Sequence, residues 1–337
     1  MTIVGWLADS AVTLLGIGLV AVLLMAALAP LEALGWWAGW WGREAYTPVR
    51  NRPPQTQGND AATERPEHFV VYLSGLGTAS KEWRFPEEAA FADRLQQWLG
   101  RAVVIDDVFA YAVTIRDLGE ARLSRRLWEM VKTARLTNPD TMLGWLVMAR
   151  NAFRIAVSVD HRYGPFFNLS NAETIREALV AHGYELGSGQ RVTLIGYSGG
   201  GQMVVAATTF LTQLLNAPVR VISIGGSISS DPGLLWAEHT THLCGDDDPI
   251  DKISDAVFAG RWPLLRKSEY NTAIAKGCLT FISLGPIGHT GTRGYYGSDP
   301  LPDGTPRLEY TVALVADLIT AESPKRPAQP TSDQLGG

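Results

Sequence analysis

Cysteine is scarce in this 337-residue chain, with only Cys244 and Cys278 present. They leave room for one disulfide at most and form no Cys-x-x-Cys pair or Cys/His cluster that would hold zinc. Both sit in or beside apolar, strand-like runs and read as small buried hydrophobes. A basic block is also missing: the formal net charge is −5, so the electrostatic footprint of a nucleic-acid binder is absent. No internal repeat is visible. Charge itself is nearly missing from the first 42 residues, where only Asp9 and Glu32 carry it. The chain as a whole is 46% hydrophobic, ordinary for a globular protein and too apolar for a disordered one.

The uncharged stretch is informative. The run Ala11–Ala29 (AVTLLGIGLVAVLLMAALA) is about as long as a helix needs to cross the hydrocarbon layer. Pro30 follows, then Trp36, Trp37, Trp40 and Trp41, a cluster suited to the headgroup level. A signal peptide would need a basic residue before the apolar run, and Pro30 is unfavourable beside the candidate cleavage site at Ala27–Ala29. A buried core helix is the other alternative. Residues 1–46 are therefore expected to form an N-terminal transmembrane helix with an interfacial segment. Arg43, Arg50 and Arg52 follow the run and no basic residue precedes it, which by the positive-inside rule points to a single-pass protein with a cytoplasmic C-terminal domain. Residues 47–67, rich in Pro, Gln, Asn and charge, read as a linker, and residues 323–337 as a frayed tail.

Between them, residues 68–322 alternate strand and helix patterns. Short apolar runs at His68–Leu73, Ala102–Ile105, Arg191–Gly196, Val219–Ile224, Thr241–Cys244 and Leu279–Leu284 read as strands. Helical patterns cover Pro86–Leu99, Asn171–His182, Gly201–Leu215 and Pro306–Thr320, the second opened by a Ser170-x-x-Glu173 capping box. Such alternation predicts an α/β domain with a mostly parallel sheet and helices on both faces. Residues 113–167 interrupt it with a helical insertion, either a cap over the sheet or extra packing helices.

Gly196-Tyr197-Ser198-Gly199-Gly200 stands where the run VTLIG meets the helical run GQMVVAATTF. A serine on so sharp a strand-to-helix turn presents its hydroxyl above the sheet, and the glycines permit close backbone approach. The helix N-terminus adds N–H groups and partial positive charge where an oxyanion would form. Gly-rich turns of this kind also bind phosphates, but this one lacks both GxGxxG spacing and a P-loop lysine.

With this motif the chain resembles the α/β-hydrolase superfamily of serine hydrolases. The resemblance implies an α/β-hydrolase fold over roughly residues 68–321, and in chain order an oxyanion loop, a nucleophile, an acid and a histidine. Ser74-Gly75-Leu76-Gly77, after the first strand, would be the oxyanion loop, although the His-Gly pair often found there is absent. The backbone N–H groups of Leu76 and Gly199 would then form the oxyanion hole. Ser198 would be the nucleophile. Cys244-Gly245-Asp246-Asp247-Asp248-Pro249-Ile250 matches the family's acid turn with Asp248 as the acid; Asp246, Asp247 and, more remotely, Asp231 are alternatives, and the loop also reads as a solvated acidic turn or a calcium-like cluster. His289, in a Gly-rich loop after the last strand, would be the base.

These residues imply two-step acyl transfer with no metal and no organic cofactor. The anchor and the Trp- and Met-bearing insertion lean towards a carboxylic ester with an apolar, lipid-like acyl group. Thioester or peptide cleavage on the same residues stays open, as does a non-catalytic membrane-bound binding protein. The expected partners are an acyl substrate and the membrane.

Overall fold

The computed structural model describes residues 66–78, 85–111 and 142–321, with residue 20. The expected transmembrane segment, nearly all of the linker, the first part of the insertion and the tail lie outside the described residues. Among those described, no helix is long and apolar enough to cross a membrane.

Six strands form one sheet: β1 His68–Leu73, β2 Ala102–Ile105, β3 Arg191–Tyr197, β4 Val219–Ile224, β5 Thr240–Cys244 and β6 Leu279–Ser283. Their order is β2-β1-β3-β4-β5-β6, and every pairing is parallel. The strands are rich in β-branched and aromatic residues, and the inner ones read as continuous apolar runs because helices cover both faces. Alternation sorts the side chains. Phe69, Val71, Leu73, Leu194 and Val221 pack against one set of helices, while Val70, Tyr72, Ile195, Ile222 and Ile224 face the other way.

The first face is covered mainly by α2 (Met142–Val159), α3 (Gly164–Ala181) and α4 (Gly200–Leu215), with short helices α5 (Gly233–Trp236) and α7 (Glu269–Ala275) beside them. The second is covered by α1 (Pro86–Leu99) and α8 (Arg307–Thr320), which contribute Phe91, Leu95, Val312 and Val315. Helix α6 (Ile250–Val257) leaves the loop after β5. The sequence patterns did not reveal α5, α6 or α7, each of which spans eight residues or fewer, too short to display helical periodicity.

One expectation needs correction. The Ser170-x-x-Glu173 capping box does not start a helix: α3 begins at Gly164, with Tyr163 at its N-cap and Pro165 in its first turn, and buries Ser170 within its length. Packing overrides the local signal, because Phe167, fully buried, and Asn168, bonded to the side chain and carbonyl of Ser158, extend the helix backwards. The end of the expected insertion at residue 167 therefore falls inside a helix. The disulfide that the sequence left open is not formed, both cysteines being free. Register explains it: Thr240 pairs with Leu279 and Cys244 with Ser283, so Cys278 lies about 17 Å along the strands from Cys244, beyond disulfide reach.

Candidate active site

β3 runs straight into the candidate nucleophile. Ser198 adopts φ 52°, a left-handed conformation that a residue with a Cβ rarely holds, and its neighbours hold it there. Its N–H donates to the Ile224 carbonyl at 3.1 Å, and its own carbonyl accepts from Gly201 and Ser227, each at 3.0 Å. Glycine is required on both sides by close approach: a Cβ on Gly196 would stand 2.4 Å from the Gly200 carbonyl oxygen, and one on Gly200 2.4 Å from that of Leu73.

The loop after β6 brings His289 to the serine. His289 Nε2 lies 2.9 Å from Ser198 Oγ, and Nδ1 lies 2.9 Å from Asp248 Oδ2. With the Asp248 carboxylate accepting from Nδ1–H, Nε2 is left to accept from the serine hydroxyl. The acid loop and the histidine loop are sewn together by Asp246 N–H to Gly285 O and Asp247 N–H to Ile287 O. Asp248 is almost wholly buried, and Oδ1 accepts the Ile250 N–H at 2.9 Å.

The alternative acids lie elsewhere. Asp246 accepts from the Ser283 hydroxyl, and Asp247 pairs with Arg293 at the surface. Asp231 accepts from Gln202 and the Gly233 N–H. None of these three is bonded to His289.

The loop after β1 packs on the turn at Ser198. A Cβ on Gly75 would meet the Ser198 Cβ at 3.2 Å, and one on Gly199 would meet Leu76 Cγ, Tyr111 Oη and Ile155 Cδ1 at 2.8–2.9 Å. Neither the Leu76 nor the Gly199 N–H finds an acceptor among the described residues.

Three contributors escaped the sequence reading. Tyr295 donates its hydroxyl to Asp248 Oδ2 at 2.8 Å and accepts the Gly245 N–H at 2.8 Å. Burial, then the Asp248 charge, push its hydroxyl far above the ordinary tyrosine range, so it remains a donor. Tyr197 donates to the His289 carbonyl at 2.6 Å and stacks on the imidazole with ring centres 5.3 Å apart. Asn151 of α2 donates to the carbonyls of Leu76 and Thr78, at 2.7 and 2.9 Å, fixing the loop that carries Leu76. Tyr197 directly precedes Ser198 and Tyr295 follows His289 by six residues in sequence, a usable hint; Asn151 gave none.

No group of three or more His, Cys, Asp or Glu side chains that could hold a metal ion occurs among the described residues. A cavity of about 330 Å³ lies away from Ser198, lined by Arg220, His239, Thr241, Thr280 and Ala321 among others, and none of the candidate residues borders it.

No protein-family profile and no curated protein matches the chain. Among solved structures, a dienelactone hydrolase from Anabaena variabilis ATCC 29413 aligns with 74% of this chain and 83% of its own, at 14% identity and a TM-score of 0.38. An inhibited esterase B from Lactobacillus rhamnosis aligns with 90% of this chain and 97% of its own, at 11% identity and a TM-score of 0.36.

Proposed function

We propose that the chain is a membrane-tethered serine hydrolase of the α/β-hydrolase type that cleaves a carboxylic ester. One observation carries the reading: a serine held at φ 52° on a strand-to-helix turn contacts His289 Nε2 at 2.9 Å, whose Nδ1 contacts a buried carboxylate at 2.9 Å.

In this mechanism His289 Nε2 takes the proton of Ser198 as Oγ attacks the ester carbonyl. The oxyanion so formed is met by the backbone N–H groups of Gly199 and Leu76, each without another acceptor among the described residues. Collapse breaks the ester C–O bond, and the leaving alcohol takes the proton from His289. Water, deprotonated by the same nitrogen, then attacks the acyl-enzyme and releases the acid and free Ser198. Asp248 holds the imidazole tautomer and stabilises the imidazolium. The steps need no metal and no organic cofactor.

Leu76 and Ile155 stand closest to Gly199 together with the Tyr111 hydroxyl, and the two aliphatic side chains suit an apolar acyl chain better than a charged one. The apolar run at residues 11–29 would hold the enzyme at a bilayer, with Arg43, Arg50 and Arg52 favouring a cytoplasmic domain. The test is hydrolysis by the full chain of p-nitrophenyl esters of increasing acyl length, beside matched thioesters and anilides. The proposal expects ester turnover that rises with acyl length and is lost in His289→Ala. Turnover of thioesters or anilides in preference to esters would overturn the ester assignment.

A further inference from the structure

Helix α6 turns two polar residues inward: Asp251 binds the buried His242 at 3.0 Å and Arg261 at 3.1 Å, and Ser254 binds Ser227 at 2.9 Å, while Lys252 and Asp255 are exposed. Its apolar residues face outward, with Ile253 52% and Val257 67% exposed on one face, four residues apart. The apolar surface continues past the helix. Trp262 donates its indole N–H to the Asp255 carbonyl at 2.8 Å, which lays the ring against the last turn of α6. Leu264 and Leu265 follow in the same turn, Leu264 being 86% exposed. Asn271 of α7 pins that turn through the carbonyls of Trp262 and Leu265, so the residues are presented on a fixed scaffold.

The charge along residues 250–267 is net positive, with Lys252, Arg261, Arg266 and Lys267 against Asp251 and the exposed Asp255. Asp251 and Asp255 are both taken up by the buried Arg261, at 3.1 and 2.7 Å. Lys252, Arg266 and Lys267 are exposed and make no ion pair among the described residues. An exposed tryptophan and branched aliphatics, with the exposed Lys252, Arg266 and Lys267 adjacent in the chain, match the chemistry of an anionic bilayer: apolar groups enter the headgroup boundary while ammonium and guanidinium groups meet lipid phosphates.

We infer that the face formed by α6 and the turn at residues 262–265 docks onto an anionic lipid surface. This is a second membrane contact, within the folded domain and independent of residues 1–46. Because α6 starts two residues after Asp248 and is about 12 Å long, docking would hold the candidate active site close to the bilayer. The inference does not depend on the chemistry at Ser198.

The experiment uses the full chain with Cys244→Ser and Cys278→Ala, a nitroxide at Leu264→Cys, and a control nitroxide at the exposed Val180→Cys of α3. Both are reconstituted into vesicles of phosphatidylcholine, with or without about one-third phosphatidylglycerol. With the anionic lipid the label at 264 becomes accessible to oxygen and shielded from a water-soluble nickel reagent, while the label at 180 stays in water. Each of Lys252→Ser, Arg266→Ser and Lys267→Ser lowers the docked-to-undocked ratio about fivefold. A 264 label that remains in water on anionic vesicles overturns the inference. So does one shielded from both oxygen and nickel, since the face is then covered by another part of the chain or, if shielding rises with protein density, by a second copy.

Discussion

The hydroxyl of Tyr295 and the imidazole Nδ1 of His289 converge on a single oxygen, Asp248 Oδ2, at 2.8 and 2.9 Å. Two donors on one oxygen fix the carboxylate's rotation, and with it the imidazole, more firmly than the histidine contact alone. Tyr295 also receives the Gly245 N–H, so it ties the acid to the start of its own loop.

Tyr295→Phe removes the donor and strands the Gly245 N–H. A hydrogen bond to a charged group contributes about 1.5–3 kcal/mol, so kcat is expected to fall about tenfold to a hundredfold with KM little changed. Steady-state kinetics on the best ester decides it. An unchanged kcat would mean that Asp248 is oriented without Tyr295.

Asn151→Ala releases the carbonyls of Leu76 and Thr78 together. The loop bearing the Leu76 N–H can then drift, and losing one oxyanion donor costs about 10²–10³ in kcat when complete. The expected loss for this indirect effect is nearer tenfold, read as a fall in kcat while fluorophosphonate labelling of Ser198 persists. If kcat holds while the fold is intact, Leu76 does not serve the oxyanion.

Backbone strain at Ser198 predicts a stability order. At φ 52° a glycine fits without a Cβ clash, whereas alanine keeps it. Ser198→Gly should therefore be more stable than Ser198→Ala by about 1 kcal/mol in urea unfolding. Equal stability would show that the turn imposes no strain.

Much of this arrangement was legible because its signals are local. Gly196 and Gly200 bracket Ser198 in the sequence for the same reason that they do in space, the carbonyls standing 2.4 Å from any added Cβ. The parallel sheet followed from apolar runs that both faces bury. What was hidden depends on distant partners. Asn151 reaches the loop at Leu76 across 75 residues, and no local pattern announces that. Tyr295 and Tyr296 are adjacent and alike in sequence, yet the former meets Asp248 and the latter Tyr72. The start of α3 was misplaced at Ser170 because burial of Phe167 outweighs a capping signal.

Two buried groups set opposing pH dependences. Burial raises Asp231 to about 6, so the folded state keeps a proton that the unfolded chain has lost. Its contribution to stability falls as pH rises from about 4 to about 6. Burial, aided by Arg220 and Arg191, lowers His68 to about 4, so the folded state resists a proton that the unfolded chain accepts. That contribution falls as pH drops from about 6.5 to about 4, and each is worth about 3 kcal/mol. Relative to wild type, Asp231→Asn should make stability rise more steeply with pH across this window, and His68→Gln should make it fall. Parallel curves for all three proteins in urea titrations would contradict both assignments.

Fluorophosphonate labelling of the full chain, followed by intact mass, tests the central claim most directly. The account predicts one phosphonyl group on wild type, on Ser198, with labelling abolished in Ser198→Ala and slowed at least about a thousandfold in His289→Ala. Folded wild type that does not label, or Ser198→Ala that labels equally well, would contradict the assignment of Ser198 as an activated nucleophile.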